Sequence, residues 1–138
     1  MQVTLYSYLY VAIGGAVGAV ARYGLNTLLQ RDLYFPWGTF AANLLGCLTM
    51  GFIAQLVSGN SWFNDAGIFP DHYRLLFAVG FCGSFTTLSS LVLEINTMLQ
   101  RNELFYSFAY FVGTMIGGFA CFYIGIICAK TLMQMQSS

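Results

Sequence analysis

The chain has 138 residues, 58% of them hydrophobic and 7% charged, with a formal net charge of zero and a mean hydropathy of +0.70. Soluble domains carry about 25% charged residues, so this composition cannot cover a water-facing surface and points to an integral membrane protein. The few cations are scattered, which excludes the clustered Lys and Arg that a nucleic-acid partner would need.

A membrane-spanning helix takes ~20 mainly apolar residues. The runs that qualify are Leu5–Leu29, Trp37–Val57, Tyr73–Leu99 and Leu104–Met133. The first follows no basic residue and is too long for a signal-peptide core, so it reads as a retained span. The polar breaks are "QRDLYFP", "SGNSWFNDAGIFPDH" and "QRNE", and the second has room for a short interfacial turn. Pro36 and Pro70 precede span starts, where a proline costs little. Tyr6, Tyr8, Tyr10, Tyr34, Trp37, Trp62 and Tyr73 gather near span ends, as interfacial aromatics do. Residues 1–138 therefore read as one all-α transmembrane domain with no soluble part.

Cations do little to orient these spans. Arg74 and Lys130 fall on one side and Arg31 and Arg101 on the other, and Arg22 within the first span adds one to the nearer side. The positive-inside rule hardly chooses. We expect dual insertion, the two orientations pairing as an antiparallel dimer; a single orientation set by weaker cues is the plainer alternative. Gly14/Gly18 and Gly113/Gly117 have GxxxG spacing, which lets helices approach closely within a subunit or between subunits. Cys47, Cys82, Cys121 and Cys128 form no CxxC pair and lie in apolar runs, so they read as small buried hydrophobes. His72 lies in a polar break and is expected to be exposed.

Polar residues at depth form faces. Thr39, Asn43 and Gly46 share one on the second span, and Thr87, Ser90, Glu94 and Thr97 one on the third. Ser107, Tyr110, Thr114, Gly118 and Cys121 form a stripe on the fourth. Any one face is interhelical glue at ~0.6 kcal/mol per hydrogen bond. Together they favour a track of uncharged donors, suited to a small hydrated ion that must shed water and leave again. Away from the span ends only Arg22 and Glu94 are ionisable. Glu94 reads either as a gating group on the track or as the partner of a hydroxyl or of Arg22. No nucleophile–base pair or metal-ligand cluster is visible, so the chain does not read as an enzyme.

One stretch departs from a plain span. "GFCGSFTTLSSL", Gly80 to Leu91, puts glycines and hydroxyls in the middle of the third run. It invites a break in the helix at its centre. A break frees backbone carbonyls, which must be satisfied within protein or by an ion, and such oxygens are hard ligands for Na⁺.

That stretch, "GGAVGAVARY" (Gly14 to Tyr23) and "GTFAANLLG" (Gly38 to Gly46) resemble, in order and spacing, three motifs of the Fluc (CrcB) family of fluoride channels. The third is usually written GFCGGFTTFSTF in that family. The resemblance covers all the spans and is weakest in the fourth. It implies a passive, fluoride-selective channel that exports toxic fluoride through the cell's inner (plasma) membrane. It implies a multi-pass, antiparallel dual-topology homodimer in the lipid bilayer with paired pores. It also implies a central Na⁺, structural and not transported, on the backbone carbonyls of Gly83 and Thr86. Asn43 would donate to fluoride, with Thr39 beside it on the anion pathway. Tyr110 and Thr114 match the polar track of the fourth helix, where Gly118 replaces a usual serine. Ser89 and Ser90 match vestibule hydroxyls, and Arg22 the basic residue of the first helix.

The sequence departs from that pattern at Leu88 and Leu91, where the family has phenylalanines whose positive ring edges face the anion. Leucine keeps the apolar wall and loses the ring-edge electrostatics. Ser84 also replaces a common glycine, and Phe85 does not substitute for the missing rings. Three readings are open: a channel with leucine walls that conducts more slowly, an altered variant, or a non-conducting subunit of a heterodimer whose partner supplies the rings. A reading from another class is a small dual-topology drug/proton antiporter. That chemistry needs an embedded carboxylate, usually on the first helix. The first span has none, and Glu94 lies on the third.

Overall fold

The computed structural model describes residues 4–30, 34–58 and 71–136, and every regular element among them is helical. Helix α1 is Leu5–Leu29 and α2 is Trp37–Ser58. The third span starts with a turn at Asp71–Tyr73, continues through a π-helical stretch, Arg74–Cys82, and ends in a turn at Gly83–Phe85; together these are α3. Helix α4 is Leu88–Gln100 and α5 is Leu104–Gln136. Four stretches are long and apolar enough to cross a membrane: Leu5–Leu29, Trp37–Val57, Asp71–Gln100 and Leu104–Met135.

The ends differ from the expected ones in a consistent direction. The third span gains Asp71 and His72, and α5 runs past Met133 to Gln136. Polarity marks where a chain leaves hydrocarbon, whereas a helix ends where its backbone is broken. Gln134 and Gln136 are good helix formers, so the helix outlasts the apolar run. Arg31, Trp62, Pro70 and the turn expected in the second break lie outside the described residues.

The connection between α4 and α5 is sharply made. Asn102 has a φ of 61°, the left-handed region that asparagine tolerates better than most residues. The Asn102 N–H donates to the Leu99 carbonyl and the Glu103 N–H to that of Met98, both at 3.0 Å. This pair of bonds closes the C-terminus of α4 in a Schellman turn and folds α5 back antiparallel.

Helix α1 packs on α3, and α2 on α5. Both contacts are made at the backbone. A Cβ at Gly14 or Gly18 would collide with the carbonyls of Leu76 or Phe81 in α3. A Cβ at Gly51 or Gly125 would collide with the carbonyls of Phe122 or Leu48 across the α2–α5 seam. Gly113 and Gly117 face Phe40 and Leu44 of α2. Both GxxxG spacings therefore serve packing within the subunit.

Only 11% of the apolar window of α1 and 17% of that of α5 is buried within the chain, so most of these side chains are left for lipid or another copy. Two sequence expectations need correction. The cysteines are free thiols, but only Cys82 is buried; Cys47 and Cys121 are half-buried and Cys128 is exposed. Apolar context alone does not say which side of a helix faces inward. His72 is half-buried, its ring stacked on Tyr10 at 5.2 Å between centroids.

Candidate ion pathway

Between α3 and α4, Thr86 and Thr87 have extended backbone, with φ/ψ of −82°/155° and −153°/118°. Branched threonines suit that conformation. Their polar groups are claimed one by one. The Thr87 N–H donates to Asn43 Oδ1 at 2.8 Å, and Asn43 Nδ2 donates to the Thr87 carbonyl at 3.3 Å. The Thr87 hydroxyl accepts the Ser90 N–H at 3.2 Å, capping α4. The Thr86 hydroxyl donates to the Cys82 carbonyl at 2.9 Å. In an uninterrupted helix the Gly83 carbonyl would accept the Thr87 N–H, and the Thr86 carbonyl the Ser90 N–H. Both donors are held by side chains instead. Gly46 makes room for this arrangement, because a Cβ there would collide with the Thr86 methyl.

A cleft of ≈ 410 Å³ opens beside these residues. Asn43 and Cys47 of α2 line it, with Thr86, Thr87, Leu88 and Leu91 from the third span. Helix α5 contributes Thr114, Gly118, Phe119 and Phe122 among others. None of the described lining residues is charged. Asn43 is 8% exposed and Thr114 4%. The Thr114 hydroxyl donates to the Tyr110 carbonyl at 2.7 Å, one turn back along α5.

Further along the same faces, toward the C-terminal end of α4, Glu94 joins the helices. Its Oε1 accepts from the Thr39 hydroxyl at 2.7 Å and its Oε2 from the Tyr110 hydroxyl at 2.6 Å. Of the partners considered for Glu94, the hydroxyls are the ones found. Arg22 is half-buried, and its Nε is a buried atom with no hydrogen-bond partner among the described residues. Tyr110 packs with Leu91 and Met98, so the carboxyl group adjoins the apolar cluster behind the cleft.

The structure thus gathers Asn43, Thr114, Leu88 and Leu91 at one cleft, and Thr39, Glu94 and Tyr110 at the adjoining node. Ser89 and Ser90 stand at the start of α4, each within hydrogen-bond reach of the Thr87 hydroxyl, at 3.2 and 3.1 Å. Gly83 does not join them. It is exposed and lines a separate hollow with Arg74, Ala78 and Val79. Sequence reasoning missed Cys47, Phe119 and Phe122 as cleft residues. A signal existed: Cys47 lies one turn after Asn43 on α2, and Phe122 one turn after Gly118 on α5.

Comparison with known proteins agrees across the chain. Residues 9–126 match the family described as "CrcB-like protein, Camphor Resistance (CrcB)". A protein of Chlorobium phaeobacteroides named "Fluoride-specific ion channel FluC" is 44% identical over 123 residues, which is 88% of this chain and 91% of that protein. A protein of the same name from Prosthecochloris aestuarii is 39% identical over 131 residues, 94% of this chain and 98% of that one. A third, from Gloeothece citriformis, is 36% identical over 126 residues, covering 88% and 95%. These relatives are named as ion channels, not enzymes. With the profile matched from the first span into the fourth and the relatives covered almost end to end, the chain belongs to the CrcB family.

Proposed function

We propose that this chain is a passive fluoride channel of the cell's inner (plasma) membrane, assembled as an antiparallel homodimer. The observation that carries the reading is the uncharged cleft between α2, α4 and α5. Its walls pair apolar side chains with a few neutral polar groups. A carboxamide carries two N–H donors, and Asn43 gives one to Thr87. The other is available to an anion in the cleft. A neutral donor holds an anion without trapping it, which passive flow requires. The names of the relatives support the choice of fluoride.

Thr86–Thr87 is read as the break at the centre of the third helix. The carbonyls of Gly83 and Thr86 fit a structural Na⁺: both are hard oxygens, and the helix donors of both are engaged elsewhere. Na⁺ held by these carbonyls would supply positive charge at the Thr86–Thr87 break and fix the ends of α3 and α4. The antiporter reading finds less support, because both oxygens of Glu94 already accept interhelical hydroxyls.

The test is efflux from liposomes holding the purified protein, with fluoride and chloride measured in parallel by ion-selective electrodes. Fast fluoride release without chloride release is the expected result. Equal release of both anions, or none from well-folded protein, would reject a fluoride channel made of this chain alone.

A further inference from the structure

The Asn43 carboxamide faces two ways. It lines the cleft proposed for the anion, and it makes a two-bond clamp on the backbone of Thr87. The clamp has a consequence one turn back. A helix that passed straight through Thr87 would spend the Thr87 N–H on the Gly83 carbonyl. Asn43 Oδ1 takes that N–H at 2.8 Å. The Thr87 hydroxyl does the same for the next carbonyl, taking the Ser90 N–H at 3.2 Å that Thr86 would otherwise receive.

We infer that Asn43 is a positioning residue for the cation cradle: by holding Thr87 out of helical register, it keeps the Gly83 carbonyl free to ligate Na⁺. The inference rests on the Na⁺ reading above and deepens it. An unpaired backbone group inside a membrane costs several kcal/mol, so the chain left to itself would close the helix. Asn43 lowers that drive by satisfying the Thr87 N–H and carbonyl from the neighbouring helix, leaving the Gly83 carbonyl for the cation. Gly83 opens onto a different hollow from the one Asn43 lines. One side chain therefore ties the anion-facing cleft to the cation-facing backbone. Thr87 acts beside it on the Thr86 carbonyl.

The sequence offers a clean probe. Gly83–Ser84 is its sole Gly–Ser step, so with ¹³C′-glycine and ¹⁵N-serine only the Gly83 carbonyl is bonded to ¹⁵N, and that coupling selects its signal from the other glycines. Its chemical shift is read by solid-state NMR on the full chain in liposomes, with Na⁺ and with K⁺ in its place. In the unsubstituted protein the signal is expected to move on adding Na⁺. In Asn43→Leu it should sit at the helical, hydrogen-bonded position in both salts, and half-maximal thermal stabilisation should need at least tenfold more Na⁺. Asn43→Ala, which introduces no bulk, is the second variant and should behave as Asn43→Leu. Asn43→Asp keeps an acceptor for the Thr87 N–H and should hold the Gly83 signal in its original place. An original Gly83 shift in the folded Leu or Ala variant would overturn the inference. A Gly83 signal that ignores Na⁺ in the unsubstituted protein would reject the cation reading. The shift in the Leu and Ala variants would still decide the role of Asn43.

Discussion

The Thr39 hydroxyl donates to Glu94 Oε1 across 2.7 Å, from a position 55 residues earlier in the chain. Tyr110 donates to the other oxygen at 2.6 Å, so one carboxyl group ties α2, α4 and α5 together. Interhelical hydrogen bonds in membranes average ~0.6 kcal/mol and reach ~1.7. Tyr110→Phe leaves one oxygen of Glu94 without its donor and should cost about 1 kcal/mol, with slower fluoride efflux. Glu94→Gln should be milder than Glu94→Leu, since a hydroxyl can rotate to accept from the new amide. Unfolding in detergent of the single and double variants of Thr39, Glu94 and Tyr110 measures the coupling. Strictly additive effects would mean that the node does not act as a unit.

The leucines that replace the expected rings are not equivalent. Leu88 is 69% exposed, whereas Leu91 is 2% exposed and packed with Met98 and Tyr110. Leu88→Phe should fold normally and raise fluoride efflux severalfold. Leu91→Phe overfills a packed site and should lose about 1–3 kcal/mol of stability. Phe119→Leu and Phe122→Leu should slow efflux, because these side chains bring aromatic rings to the same cleft. Unchanged rates in both Leu88→Phe and the Phe119/Phe122 double variant would show that ring electrostatics contribute little here.

Close backbone approach predicts a sharp contrast among the α1 glycines. Gly18→Val should destabilise the fold by at least about 1–3 kcal/mol, because the new side chain meets the backbone of α3 rather than a movable side chain. Nothing lies within 4 Å of a Cβ built at Gly24, so Gly24→Ala should leave the melting temperature unchanged or raise it. Thermal unfolding of the two variants side by side checks the pair.

The turn after α4 makes a local prediction. With φ at 61°, Asn102→Val should cost on the order of 1–2 kcal/mol, while Asn102→Gly should be neutral or stabilising. Equal melting temperatures would mean that the turn relaxes away from the left-handed region.

Several parts of this arrangement were legible in the residues themselves. Ser107, Tyr110, Thr114 and Gly118 recur at helical spacing, and all four are buried on one face of α5. Thr39, Asn43 and Gly46 do the same on α2. Helical periodicity is a local property, so a one-dimensional pattern suffices to find a face. The partner of Glu94 was not legible in the same way. Thr39, Tyr110 and Arg22 were all chemically suitable, and spacing along the chain does not rank contacts between helices. The reach of the α5 helix beyond Met133 was missed for another reason: polarity and helicity end at different residues.

The sequence by itself determined that the chain lives in a membrane as four helical spans, because 7% charged residues cannot solvate a surface and each apolar run is long enough to cross. It also carried the family motifs and the small residues that permit backbone contact. Only the tertiary structure decided that Asn43 spends its amide on Thr87, that Glu94 pairs with hydroxyls, and that both GxxxG spacings pack inside the subunit. The physical reason is common to all three. Inside a membrane an unpartnered polar group is costly, and which partner a group finds depends on how the helices are rotated and docked, a relation between distant segments that composition and periodicity do not encode.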